Sequence, residues 1–269
     1  MNKQATFALV GYQKYPLKDV VRIFRNELTS AIVLADGSTC SNLSELGAAI
    51  ITQIVGDMLL TYDYKRVMDH KEFLRRALVR ANSFLLDTGS TISALDTTLV
   101  YVVRRASKID AVIWGDGCLF YKKKNMDVLD VHLVESPTDG DKSYPFYPRY
   151  FLSNKDFSSI PTKKIKTRAS SSPNISLIEE KLSRDIAHYS FNTDELSLIG
   201  ISSDGISTFK DISKLGDPFF THTEMLDKII SFKHQNMDDN FVKNKLEWLL
   251  RRSANIVPLD DLSIGVLCE

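Results

Sequence analysis

The sequence predicts a four-layer α/β/β/α sandwich, two antiparallel sheets flanked by helices, built as one domain over residues 1–269. Two observations carry this expectation. Apolar runs of strand length stop abruptly at Asp-Gly pairs, and helical patterns arrive two at a time rather than singly between strands. The resulting order β, αα, βββ, β, αα, β suits stacked layers better than a doubly wound parallel sheet, in which each strand would alternate with a helix. No period repeats along the chain, which excludes solenoids and propellers.

Each element has its own signal. Residues 31–36, Ala-Ile-Val-Leu-Ala-Asp, form a short branched apolar run ending at the turn pair Asp36-Gly37, the pattern of a buried strand. From 43 to 60 the apolar residues Leu46, Ala49, Ile50, Ile54 and Met58 recur at helical spacing, with Ser44 as the expected N-cap. A second helix is expected over 67–86, with Phe73, Leu74, Ala77 and Leu78 on one face. The period then becomes strand-like at 97–103, 109–114 and 118–121, with turns at 105–108 and 115–117, which predicts an antiparallel meander. An irregular insertion at about 134–176 holds five of the eight prolines. Tyr144, Phe146, Tyr147, Tyr150 and Phe151 punctuate it and are expected to anchor it to the body. A strand over 195–205 again stops at Asp-Gly, helices are expected near 223–233 and 238–253, and a final strand follows Asp260-Asp261.

Composition narrows the function. Hydrophobic residues at 43% and charged residues at 25% allow a large buried core, so disorder is not the expectation. Lys plus Arg and Asp plus Glu both number 34, leaving no global field to draw nucleic acid or an anionic membrane; a metal-dependent nuclease is disfavoured for the same reason. Cys40, Cys118 and Cys268 form no CxxC pair, and no stretch approaches the ~18 apolar residues of a membrane span, so a cytoplasmic protein is expected.

Four strand-associated aspartates stand out: Asp36, Asp116 and Asp204, each followed by glycine, and Asp260 in Asp260-Asp261. Carboxylates at strand ends can converge on one edge of a sandwich, where mutual repulsion makes them tolerable only with cations among them. Oxygen donors without an accompanying histidine or cysteine favour Mg²⁺ or Mn²⁺ over Zn²⁺. Gly37, lacking a β-carbon, lets its backbone carbonyl approach an ion. The five histidines, His70, His132, His188, His222 and His234, are scattered without ligand spacing. Cys40 lacks the phosphate loop and arginine that a cysteine phosphatase needs.

The ordered series Ala35-Asp36-Gly37, Asp96-Thr97-Thr98-Leu99, Trp114-Gly115-Asp116-Gly117, Ser203-Asp204-Gly205 and Asp260-Asp261-Leu262-Ser263 resembles the motif series of PP2C-type metal-dependent protein serine/threonine phosphatases. The helix start Ser44-Glu45-Leu46-Gly47-Ala48 is similar to the bacterial branch of that family. The resemblance implies hydrolysis of phosphoserine and phosphothreonine in a phosphoprotein substrate, opposing a serine/threonine kinase, by a water activated between two tightly bound Mg²⁺ or Mn²⁺ ions. It implies further that Asp36 bridges the ions, that the Gly37 carbonyl, Asp204 and Asp260 complete their shells, and that Asp116 serves a third, weaker ion. The sequence departs from the family in three places. The acidic motif upstream of the first Asp-Gly reads Gln13-Lys14-Tyr15-Pro16-Leu17-Lys18-Asp19, leaving Asp19 as its acidic residue; Ser38-Thr39-Cys40 replaces the usual Gly-Gly; and Asp261 stands where Asn is common. These departures keep open an alternative, a weak or inactive pseudophosphatase acting as a binding or regulatory module.

Overall fold

The computed structural model describes residues 3–12, 16–63, 68–126, 128–135, 147–152, 162–169, 178–182, 186–214, 219–230, 240–252 and 255–268. The strand expected over 31–36 is β3 (Thr29–Ala35), and its composition follows from burial on both faces. Ala31, Val33 and Ala35 pack toward helices, whereas Ile32 and Leu34 pack toward a second sheet. From Ala31 to Ala35 every position is buried, so this part of the strand is continuously apolar rather than alternating.

β3 lies in a five-stranded antiparallel sheet with β2 (Val20–Arg25), β4 (Leu99–Arg105), β5 (Lys108–Trp114) and β10 (Ala187–Asn192), ordered β10-β5-β4-β3-β2. The second sheet has seven strands in the order β1-β14-β11-β6-β7-β8-β9. These are β1 (Lys3–Leu9), β14 (Leu262–Cys268), β11 (Leu196–Ser202), β6 (Gly117–Lys123), β7 (Leu129–Glu135), β8 (Thr162–Ala169) and β9 (Ile178–Leu182). A short ribbon, β12 (Phe209–Asp211) with β13 (Ile256–Pro258), stands apart.

Helices α1 (Ser44–Thr61) and α2 (His70–Asp87) cover the five-stranded sheet through Ile51, Val55, Leu59, Phe73, Leu74 and Leu78. Helices α3 (His222–Ile230) and α4 (Phe241–Arg252) cover the seven-stranded sheet through Leu226, Ile229, Val242 and Leu246. Between the sheets sits a third cluster that includes Ile32, Leu34, Val100, Val102, Leu119, Ile199 and Ile201. The expected α/β/β/α sandwich is therefore the observed architecture. Each fully buried Leu or Ile side chain in these layers contributes about 1.5–3 kcal/mol of transfer free energy. Among the described residues no helix is long and apolar enough to cross a membrane.

Three expectations differ in detail. The predicted meander is only half formed: β4 and β5 pair in one sheet, but β6 pairs with β7 and β11 in the other. Residues 115–116 are thus a crossover between sheets, not a hairpin turn, and this is what brings Asp116 to the sandwich edge. Ser44 is not the cap of α1. Leu43 occupies that place with φ 58°, and the Ser44 hydroxyl instead donates to the Ser38 carbonyl at 2.7 Å. Finally, the stretch expected to be irregular is regular in part, since β8 pairs antiparallel with β7 from Leu129↔Ala169 to Glu135↔Lys163. Within that stretch Tyr150 and Phe151 do pack on the helix-side core, and Phe151 meets Trp114 edge-on at 4.8 Å; Tyr144 and Phe146 lie outside the described residues.

Candidate functional site

Strand ends from both sheets meet around one cavity of about 340 Å³ whose lining includes Asp36, Gly37, Asp116, Asp204 and Asp260. Each arrives by a different route. Asp36 follows β3, and its carbonyl is fixed by the Thr98 N–H at 2.8 Å. The next residue must be glycine for a steric reason: a β-carbon at Gly37 would lie 2.9 Å from the Lys18 carbonyl oxygen and 3.0 Å from the Ser44 backbone. Asp116 sits in the crossover between β5 and β6. Asp204 opens a 3-10 turn, Asp204–Ser207, directly after β11.

Asp260 and Asp261 precede β14 and point to different places. Asp260 lines the cavity, while Asp261 is buried and accepts from the Gly11 N–H at 2.9 Å and the Lys18 N–H at 2.8 Å. Asp261 is therefore a structural carboxylate that ties the segment before Asp19 to the end of the seven-stranded sheet. Gly205 makes the same junction possible, since a β-carbon there would fall 1.9 Å from the Asp261 carbonyl oxygen.

Asp19 joins this group from the β1–β2 connection. It is only 3% exposed, and neither carboxylate oxygen has a hydrogen-bond partner of ordinary geometry. Burial first, then the charges of Asp204 and Asp261, push its carboxyl up to about 7 against lowering contacts with Asp36 and Ser203. Asp36 is likewise held well above the usual carboxylate range, by burial and then by Asp19, Asp204 and Asp260. Two carboxyls buried side by side are costly to ionise together unless something positive faces them. The donor set, oxygens throughout, fits a hard divalent cation such as Mg²⁺ or Mn²⁺.

Residues 12–251 match the family model for protein phosphatase 2C. The chain belongs to the protein phosphatase 2C family. Solved structures share its fold end to end. A serine/threonine phosphatase of S. agalactiae aligns with TM-score 0.56 at 12% identity, covering 100% of this chain and 99% of that one. Serine/threonine phosphatase Stp1 from Staphylococcus aureus aligns with TM-score 0.56 at 11% identity, covering 100% and 95%. A bacterial serine phosphatase aligns with TM-score 0.55 at 11% identity, covering 100% and 98%. At such identities the likeness is one of fold. No curated protein matches the sequence.

This PP2C cavity also holds residues that the motifs alone did not assign. Asp96 is buried and receives the Arg149 guanidinium at both oxygens, with Nη2 to Oδ2 at 3.0 Å, as well as the Ser41 hydroxyl at 2.6 Å. Arg149, Tyr147 and Tyr150 come from the 147–152 segment and line the same cavity. Burial raises the Tyr147 phenol, so it stays protonated. The Lys18 ammonium donates to the carbonyls of Ser38 and Ser41 at 3.0 Å each, pinning the loop that replaces the family's Gly-Gly. Cys40 is exposed on that loop. The signal for Asp96 was its place in the Asp-Thr-Thr motif; Arg149 had none, because its partner lies 53 residues away.

Proposed function

We propose that this member of the protein phosphatase 2C family hydrolyses phosphoserine and phosphothreonine in proteins, acting through a pair of Mg²⁺ or Mn²⁺ ions and opposing a serine/threonine kinase. Asp36, Asp204, Asp260 and the Gly37 carbonyl would hold the two ions, Asp19 would add its carboxylate to that set, and Asp116 with Asp204 would serve a third, weaker ion. When bound, the ions supply Lewis acidity that makes a water nucleophilic at neutral pH and draw charge from the phosphoryl oxygens. The carboxylates' part is to fix the ions' positions at the sheet edges. Asp96 in turn fixes Arg149, whose guanidinium stands on the cavity wall where a phosphoryl group would be oriented.

The single observation that carries the reading is the Asp19 carboxyl buried against Asp36 and Asp204, three acidic groups brought together with no cationic side chain among the causes that set their charge. It also weighs against the pseudophosphatase alternative. The divergent upstream motif still delivers an acidic residue to the cluster, and buried carboxylates that crowd together ionise at low cost only when cations neutralise them. The test is hydrolysis of a phosphoserine peptide by metal-stripped protein, with and without Mn²⁺. Turnover that appears only with Mn²⁺ supports the enzyme. Peptide binding without turnover at any Mn²⁺ concentration would favour the pseudophosphatase.

A further inference from the structure

The histidines that look scattered in sequence are not all scattered in space. His70 opens α2, Asp110 lies in β5 and His188 in the edge strand β10. Register explains the meeting of the last two: Ser190 pairs with Asp110 and His188 with Val112, so Asp110 and His188 are diagonal neighbours on the same face of the sheet. That face is the one α2 covers, and the first turn of α2 sets His70 above them. One ligand atom from each residue lies within 4.8 Å of those of the other two. His188 Nε2 and Asp110 Oδ1 are 3.2 Å apart, which matches the roughly 3.3 Å between two donors of a tetrahedral ion with bonds of about 2.0–2.1 Å.

The surroundings are those of a ligand site. His70 Nδ1 is engaged by the buried Tyr101 hydroxyl at 2.6 Å, which orients the ring and leaves Nε2 for another partner. The two imidazoles stand with centroids 4.2 Å apart, an arrangement that disfavours a charge on both. Burial and then His188 lower His70 to about 4, so it is the neutral, ligating form near pH 7. Burial opposes the Asp110 charge, but His188 and Ser190 hold its carboxyl below its ordinary value. Of the neighbouring charges, Asp69 is turned back to the Lys71 and Glu72 N–H groups as the cap of α2, and Arg105 donates to the Leu59 carbonyl at 3.2 Å.

We propose that His70, Asp110 and His188 form a second cation site, distinct from the carboxylate cavity, that takes a borderline-soft ion such as Zn²⁺ and clamps edge strand β10 to the start of α2. Two nitrogens and one carboxylate are the donors Zn²⁺ favours, and a water completes the shell. The hard-ion cluster is elsewhere: Asp110 sits four residues, roughly 13 Å of strand, before the end of β5 from which Asp116 departs.

The experiment uses the full chain with saturating Mg²⁺ present, so that oxygen-donor sites are occupied. Co²⁺ is titrated as a spectroscopic stand-in for Zn²⁺, and thermal unfolding is followed with Zn²⁺. One equivalent of Co²⁺ should give visible d–d absorption in the parent and equally in Asp36→Asn. His188→Ala, a change at a side chain 41% exposed and so safe for folding, should weaken that binding at least tenfold, and Asp110→Asn likewise. Zn²⁺ at about a hundredfold over its dissociation constant should raise the parent's Tm by about 5 °C and leave His188→Ala unmoved. Absorption unchanged in both His188→Ala and Asp110→Asn would overturn the site. So would its loss in Asp36→Asn with retention in His188→Ala, which would assign the ion to the carboxylate cavity.

Discussion

Replacing Asp19 by Asn should stabilise the metal-free protein at alkaline pH and destabilise the metal-loaded one. The carboxyl titrates near 7 in the folded chain against 3.8 ordinarily. A raised folded-state value means that folding favours the protonated form. Its contribution to stability is whole below about 3.8, declines as pH rises, and is lost above 7. The interval between 3.8 and about 7 is worth about 4 kcal/mol at 1.36 kcal/mol per decade. Asn removes that penalty at pH 8 but buries an amide where the oxygens of Asp19 have no partner, which returns about 1–3 kcal/mol. The net expectation is a variant about 1–3 kcal/mol more stable than the parent at pH 8 in chelator. At an m-value of about 2–3 kcal/mol/M this is a urea midpoint higher by about 0.3–1.5 M. The advantage should vanish toward pH 4, and saturating Mn²⁺ should reverse the order, because the parent gains more from the cation. A parent more stable than Asp19→Asn at pH 8 in chelator, or a difference independent of pH, would refute the picture of an uncompensated buried carboxylate.

Other expectations follow from the same geometry. Asp260→Asn should weaken Mn²⁺ binding about a hundredfold by calorimetry, whereas Asp261→Asn should leave it in place and lower urea stability by about 1–3 kcal/mol, since an amide cannot accept from both the Gly11 and the Lys18 N–H. If Asp261→Asn loses the metal and Asp260→Asn keeps it, the two roles are exchanged. Asp116→Ala should slow phosphopeptide turnover with two tight Mn²⁺ equivalents retained; loss of both would place Asp116 among the primary ligands. Gly205→Ala should cost at least about 2–3 kcal/mol, because its methyl would sit 1.9 Å from the Asp261 carbonyl oxygen. Unfolding midpoints within error of the parent would show that the β11–β14 junction yields easily.

The layered fold was legible because burial on both faces leaves a continuous apolar run, as at β3, and because pairs of amphipathic helices must cover something. The meander was misread because the apolar strands β4, β5 and β6 carry no mark of which sheet each enters; only the crossover at Gly115 and Asp116 decides it. Strands β1 and β2 passed unnoticed, since their half-buried edge positions mix polar and apolar residues. In the site, the strand-stopping aspartates were visible as motifs. Asp260 lines the cavity while Asp261 turns inward, although both precede β14 rather than lie in it. Asp19 was the weakest assignment from sequence, yet it is the most deeply buried carboxylate of the cluster, for its neighbours give no local pattern and its position depends on Asp261 gripping Lys18. Arg149 and the His70–Asp110–His188 group were invisible because long-range contacts alone create them.

On the proposed reading the carboxylate cluster acts only through two bound cations. Titrating Mn²⁺ into metal-stripped protein while reading calorimetric binding and phosphoserine-peptide hydrolysis on the same samples tests it most directly. Expected are no turnover in the stripped protein, two tight equivalents, and activity that rises as the second is filled, with both lost in Asp36→Asn. Undiminished hydrolysis in excess chelator, or full activity in Asp36→Asn, would contradict it.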